Sequence, residues 1–387
     1  MKIALDGSKA INESAGIAHY TRELIKNLIK IYPRDDFFLY FNFLRGGERK
    51  KALIKELVGN NKNVKTKIYP IPGWLKERFH YLRYSALGNL LRGNDIYHAT
   101  EFLSFDNGLK IPQILTVHDL TMIKFPYHRG REVSNRHGEM LKRACQNASS
   151  IISVSESTKK DIIDVFKINP KKIQVIYSGR DPRYKIMPDK TKVRKFLEKK
   201  YHLKFPFMLF VSTIEPRKNV PHLLRAFDKF SGQRKEYSLV LVGKRGWNTE
   251  EVDETYKRLK NKHKIKFMNY VPASDLVYFY NGATLLCYPS IYEGFGHPVL
   301  EAMASGTPVL TSRVSSLPEV GGAAAYYIDP NSPEEISRGM EKIVDDQDYR
   351  KQMIKNGLIQ VKKFSWEKSA KETYKLYEKV LKNDRKN

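Results

Sequence analysis

Glu293 and Glu301 stand eight positions apart in the stretch Tyr288-Pro-Ser-Ile-Tyr-Glu-Gly-Phe-Gly-His-Pro-Val-Leu-Glu-Ala-Met-Ala-Ser-Gly-Thr-Pro308. The apolar run that opens it, from Ala283, suits a buried strand of a parallel sheet. Gly294 and Gly296 make a turn, and Pro298 fits the first turn of a helix, where its missing N–H costs nothing. Gly306 and Pro308 end that helix. A strand, a glycine turn and a helix N-terminus gather free N–H groups at the positive end of a helix dipole, which suits an anionic ligand. A carboxylate would repel phosphate there, so both glutamates read as acceptors for sugar or ribose hydroxyls. A cationic pair occupies a similar turn: in Thr213-Ile-Glu-Pro-Arg-Lys-Asn219, Arg217 and Lys218 follow an apolar strand and precede a helix that begins near Pro221. Arg can grip two oxygens of a diphosphate and Lys adds a point charge. His118 and Asp119 end the strand Gln113–Asp119, where open α/β sheets place ligands, and Gly16 lies between the first strand and the first helix. Each feature also has a plainer reading: an ordinary turn with solvated glutamates, a surface cation pair, a structural histidine, a turn glycine.

Alternating short apolar runs and helical periodicities must position these groups. Lys2–Leu5, Phe37–Phe41, Val64–Tyr69, Asp95–Thr100, Gln113–Asp119, Ser150–Ser155 and Lys172–Tyr177 read as strands of a first domain. Its first helix carries apolar residues at 17, 20, 24, 25, 28 and 31, and residues 45–60 form a basic helix. Ser155 or Ser157 is available to cap the helix that follows the sixth strand. Residues 178–205 read as a linker with one basic helix, and the pattern restarts at Phe207–Ser212. Ser238–Gly243, Lys266–Val271, Ala283–Tyr288, Pro308–Thr311 and Ala325–Ile328 continue it. Ser332 caps a further helix, and a terminal helix runs from Phe364-Ser-Trp366 to about Leu381. The expectation is α/β architecture with domains at 1–180 and 181–365 and a terminal helix at 366–387.

The unbroken match from Glu293 to Pro308 resembles the E-x7-E signature of retaining nucleotide-sugar glycosyltransferases of family 4, and the resemblance covers nearly the whole chain, most strongly 207–330. It implies two facing Rossmann-like domains (the GT-B architecture) with a cleft between them and a C-terminal helix returning to the N-terminal domain. By this resemblance Glu293 touches donor-sugar hydroxyls and Glu301 the nucleotide ribose. Gly16 lies against the donor diphosphate, and His118 contacts a sugar hydroxyl beside the reaction centre. Arg217 and Lys218, in the similar E-P-R-K-N motif, neutralise the leaving diphosphate, and the backbone near Val271 meets the base. Ser212, Phe295, Gly296, Val299 and Leu300 complete the expected donor-binding set. A clamp from Gly16 to Arg217 requires domain closure. Tyr97-His-Ala-Thr100 and Thr116-Val-His-Asp-Leu-Thr121 look most like mannosyltransferases of polysaccharide and O-antigen assembly, implying GDP-mannose, with UDP-sugars next.

Composition limits the remaining classes. The chain has 387 residues, 41% of them hydrophobic, enough for two cores. No run approaches the length of a membrane span, the first strand begins at once without a secretory signal, and Cys145 and Cys287 suit buried thiols, so a cytoplasmic protein is expected. The net charge of +27 is spread over both halves. It is densest over 45–92, where twelve cations face Glu48, Glu56 and Glu77. Such a surface attracts anionic lipid, lipid pyrophosphate or nucleic acid, or is simply solvated lysine. Tyr69–Tyr84 mixes aromatics with cations and suits either an interface with a membrane or a core helix. No nucleic-acid-binding motif and no G-x-G-x-x-G after the first strand is present, so neither a nucleic-acid partner nor a dehydrogenase is expected. An epimerase or phosphorylase of the same architecture is the nearer rival. No cofactor or metal is expected: the D-x-D at Asp346-Gln-Asp348 falls in a surface helix, and no His/Cys cluster exists.

Overall fold

The computed structural model describes residues 1–11, 16–44, 47–70, 88–106, 108–126 and 131–384. The chain divides into two compact units: unit 1 is Met1–Gly179 with Phe364–Asn387, and unit 2 is Arg180–Lys363.

Unit 1 is built on strands β1 (Lys2–Asp6), β2 (Asp36–Phe41), β3 (Val64–Ile68), β4 (Ile96–Ala99), β5 (Gln113–Val117), β6 (Ser150–Ser153) and β7 (Ile173–Val175). All pairs are parallel, in the order β3-β2-β1-β4-β5-β6-β7. The central strands β4 and β5 are buried along their whole length, as a sheet covered on both faces demands, whereas edge strand β3 exposes Lys65, Thr66 and Lys67. Helix Gly16–Ile31 turns Ala18, Tyr20, Leu24, Ile25, Leu28 and Ile29 inward. The terminal helix, Trp366–Asp384, packs on that helix inside unit 1. Tyr374 stacks on Tyr32 at 3.5 Å between ring centres and donates to Asp35 at 2.7 Å. Gly179 is required where the chain leaves this unit, because a Cβ there would lie 2.2 Å from the Trp366 nitrogen.

Unit 2 repeats the plan with β8 (Phe207–Val211), β9 (Ser238–Val242), β10 (Ile265–Met268), β11 (Leu285–Tyr288), β12 (Val309–Ser312) and β13 (Ala325–Ile328), ordered β10-β9-β8-β11-β12-β13. Its pairs are parallel as well. In each sheet the chain starts centrally, winds to one side and then crosses to the other, so the order reverses between β1 and β4 and between β8 and β11. Loops leaving adjacent strands in opposite directions open a crevice at that point, where doubly wound sheets bind ligands.

Two details differ from the sequence reading, and one choice that it left open is decided. Of the stretch 178–205, residues from Arg180 onward belong to unit 2 and are fastened to it: Asn281 accepts from Met187 N at 2.7 Å and from Lys190 Nζ at 3.1 Å, and donates to Lys185 O at 2.9 Å. Asp346 lies between two helices, not inside one. Its carboxylate caps Gln347–Gln360 by accepting from Tyr349 N at 2.8 Å, the ordinary role of Asp before a helix. Of the two candidate caps, Ser155 is the one used, accepting from Thr158 N at 3.0 Å.

Candidate active site

The β8 and β11 loops of unit 2 bring the cations and the first glutamate together. Pro216–Lys218 forms one turn of 3₁₀ helix after β8, ended by Asn219 in the left-handed conformation (φ 58°). Asn219 fastens three loops, donating to Pro289 O at 3.1 Å and Pro330 O at 2.6 Å, while Ile291 N donates to Arg217 O at 2.9 Å. Within this frame Arg217 Nη1 donates to Glu293 Oε2 at 2.8 Å and to Tyr292 O at 3.0 Å. Lys218 Nζ pairs with Glu293 Oε1 and donates to the Tyr288 hydroxyl at 2.8 Å; that hydroxyl donates to Glu293 Oε1 at 2.7 Å. Glu215 pairs with Arg217 Nε. Glu215, Lys218 and Glu293 are at most 7% exposed.

Burial opposes the Glu293 anion, yet Lys218 and Arg217 outweigh it and hold the carboxyl down at about 2. Burial pushes Lys218 the other way, below its ordinary range, against the attraction of Glu293. The Glu215 carboxyl is pushed up, chiefly by burial.

A second clamp comes from the loop after β12. Ser315 Oγ accepts from Glu293 N at 2.9 Å, and Ser316 Oγ donates to Glu293 O and Phe295 O at 2.9 and 2.8 Å. Gly296 then takes φ 109°, closed to side-chain residues, and launches helix His297–Ala304. Glu301 lies in that helix and accepts from the Tyr280 hydroxyl at 2.8 Å; burial raises its carboxyl to about 7. Thus one glutamate of the pair is held ionised while the other titrates near neutrality.

The remaining expected donor residues lie after β8, after β10 and along the β11 loop and the helix that follows it. Ser212 follows β8 and its side chain hydrogen-bonds Tyr288. Val271 is buried just before helix Ala273–Gly282, and the Phe295 ring lies 5.0 Å from that of His297. Val299 and Leu300 point wholly into the core, and their N–H groups bond Gly296 O. Tyr288, Tyr280, Glu215, Asn219, Ser315 and Ser316 were not singled out from the sequence. Asn219 and Glu215 lie inside one quoted motif and Tyr288 opens the other, but Tyr280, Ser315 and Ser316, from other elements, leave no local signal.

Gly16 and His118 belong to unit 1. Gly16 is the exposed first residue of its helix, and residues 12–15 of its loop lie outside the described residues. His118 follows β5, with Nε2 donating to Thr100 O at 2.9 Å and the Tyr20 ring edge-on at 4.8 Å. A carbonyl only accepts, so the neutral ring carries its proton on Nε2 and keeps Nδ1 as an acceptor. Burial lowers its basicity. Behind it, Thr116 Oγ1 meets Tyr20 Oη at 3.2 Å and His98 Nε2 at 2.8 Å, and His98 Nδ1 meets Tyr377 Oη of the terminal helix at 2.6 Å.

Among the described residues, no group of three or more His, Cys, Asp or Glu is arranged to hold a metal ion, and no helix is long and apolar enough to cross a membrane. Of the basic aromatic segment 69–84, residues 71–84 lie outside the described residues, as do Arg45 and Gly46.

Two parallel sheets of one winding order, with cations and carboxylates at a switch point, define a two-unit, doubly wound α/β protein with a charged candidate site. The comparisons make the class specific. Residues 15–184 match the family model described as Glycosyltransferase Family 4, and residues 189–360 match that of Glycosyl transferases group 1. The chain is 33% identical over 266 residues to O-antigen chain mannosyltransferase B of Escherichia coli, covering 68% of this chain and 69% of that one. Serotype-specific mannosyltransferase WbdA of Escherichia coli is 29% identical over 230 residues, 58% of this chain but 28% of that protein. In fold the chain is similar to Anabaena HepE, solved with UDP and glucose, at a TM-score of 0.73 and 19% identity over 98% of this chain and 100% of that one. The chain therefore belongs to the family 4 glycosyltransferases, and it is a hexose-transferring enzyme of the GT-B class.

Proposed function

We propose that this enzyme transfers mannose from GDP-mannose, with retention at the anomeric carbon, to a glycan or lipid-linked acceptor. The observation that carries this reading is the cluster of Arg217, Lys218 and Glu293 at the β8/β11 switch point, where a half-buried guanidinium and a buried ammonium can take the charge of a departing nucleoside diphosphate. The mannosyltransferase names of the relatives above favour mannose. HepE, bound to UDP and glucose, keeps UDP-sugars as the next donor class.

In this reading Arg217 and Lys218 stabilise the leaving diphosphate without a metal, at an order of about 3 kcal/mol for each well-placed donor. Glu293 holds donor-sugar hydroxyls, Glu301 the ribose, and His118 a further sugar hydroxyl through its accepting Nδ1. A donor phosphate oxygen takes the acceptor proton on the same face as the departing group, so no covalent adduct forms on Glu293. The acceptor is held at the inner membrane surface. Arg49, Lys51 and Lys55 on helix Gly47–Val58 and Lys65 and Lys67 on β3 are exposed and suit anionic lipid.

The test is thermal unfolding against GDP-, UDP- and ADP-sugars and the free nucleotides. A ligand at a hundred times its Kd adds about 2.7 kcal/mol, a rise of several degrees for units of this size. A rise confined to GDP and GDP-mannose supports the reading. A rise confined to UDP compounds replaces the donor, and no rise with any of them removes the site as read.

A further inference from the structure

The charges around Arg217 balance before any donor arrives. Arg217 and Lys218 supply two positive charges, and Glu215 and Glu293 two negative ones, all in direct ion pairs. Glu215 and Glu293 are 5% and 7% exposed, so bulk water screens neither well. A nucleotide sugar brings a diphosphate with about two further negative charges. Without compensation it would leave the cluster with an excess of buried anion, which is strongly disfavoured in a site of low effective dielectric.

We infer that donor binding is coupled to uptake of one proton and that Glu215, turned to Arg217 Nε, is the group that takes it. This rests on the donor reading above. Glu293 is the poorer candidate: both of its oxygens are engaged by cations, and the Tyr288 hydroxyl adds a third contact. Glu215 has its ion pair with Arg217, and the charged groups acting on it are Arg217, Lys218 and Glu293. The neighbouring loop does not change the balance. Gly246 packs beside the Glu215 Cβ, but Arg245 is paired with Asp253 at 2.8 Å and the Lys244 ammonium lies 5.3 Å from the centre of the Tyr270 ring. Burial already pushes the Glu215 carboxyl up before the donor binds, and a diphosphate moved against Arg217 raises it further. The added proton comes from solvent and forms one O–H bond on the carboxylate. The protonated carboxyl stays beside Arg217 Nε, so Glu215 remains a positioning residue for the guanidinium while its charge is removed.

The experiment is calorimetric titration of the full chain with GDP-mannose at constant pH in buffers of different ionisation enthalpy. The diphosphate of this probe is esterified at both ends and has no proton that titrates near neutrality. The expected result is uptake of up to about one proton per donor, with Kd weakening by up to about tenfold per pH unit as pH rises. In Glu215→Gln the uptake disappears and the dependence of Kd on pH flattens. Heats that do not vary with buffer in the unaltered chain overturn the inference without any variant. Uptake that persists in Glu215→Gln overturns the assignment to Glu215. Absence of binding by GDP-, UDP- and ADP-sugars alike overturns the donor reading together with this inference, whereas binding without proton uptake overturns only the latter.

Discussion

The two units share a sheet plan but equip their ligand-facing loops in opposite ways. At the β8/β11 switch of unit 2 the loops carry four ionised groups in contact, and Glu293 is held by partners more than seventy positions earlier in the chain. At the strand ends of unit 1, His118 rests on a carbonyl, a tyrosine edge and a chain of neutral hydrogen bonds leading to the terminal helix. Burial also drives His98 in that chain down to about 3, so it stays uncharged. The charged loops of unit 2 can neutralise developing charge, and the neutral His118 ring of unit 1 can accept a hydrogen bond from a hydroxyl. In the transfer proposed above, the first would compensate the leaving group and the second would hold a sugar hydroxyl.

The largest expected effect breaks the charged half. Glu293→Ala removes the hydroxyl contact and leaves Arg217 and Lys218 without their shared carboxylate, so turnover falls on the order of 10³-fold, as for loss of a key transition-state contact. Glu293→Gln keeps the shape and some hydrogen bonding and retains a measurable part of the activity in a steady-state assay. If Gln is as inactive as Ala and mass spectrometry finds a sugar adduct on Glu293, the proposed same-face transfer without a covalent adduct is wrong.

A contrast between the units comes next in size. Lys218→Met leaves Glu215 and Glu293 to share the single cation Arg217, so one buried negative charge is uncompensated, which costs up to about 3–5 kcal/mol and lowers the midpoint of thermal unfolding by several degrees. His118→Ala removes one neutral hydrogen bond of about 1 kcal/mol, so it depresses turnover with little change in that midpoint. Equal destabilisation by the two substitutions would erase the distinction drawn here.

The smallest effect concerns pH. The Glu301 carboxyl is raised in the folded chain from 4.5 to about 7, so the fold binds a proton that the unfolded chain has released. Its contribution to stability is full below about 4.5 and is lost as pH rises through about 7. The difference in unfolding midpoint between the unaltered chain and Glu301→Gln, followed from pH 5 to 8, should therefore change steadily in that direction. A pH-independent difference would mean that Glu301 is ionised throughout.

Most of the secondary structure was legible, because short apolar runs and helical periodicity are local properties. β11, the turn at Gly296 and helix His297–Ala304 lie where the spacing of Glu293, Pro298 and Gly306 puts them. The separation of carboxylates from the anion site was less legible. Repulsion of phosphate argues for keeping Glu293 away from Arg217 and Lys218, yet without a donor the glutamate supplies the charge those cations need. The residues that complete the site, Tyr280 behind Glu301 and Ser315 and Ser316 behind Glu293, come from other elements and follow no spacing rule.

By itself the sequence determined the alternation of strands and helices and the presence of acid, cation and glycine at particular turns. Those depend on steric and hydrophobic preferences acting over a few residues. Tertiary structure decided which turns meet. Because the sheet order sets β11 beside β8, the loops after these two strands converge, and only then do Arg217 and Lys218 reach Glu293. It also decided the charge states: Glu293 and Glu301 are identical in covalent structure, and Lys218 and Arg217 hold one ionised while burial, opposed by the Tyr280 hydroxyl, raises the other to about 7.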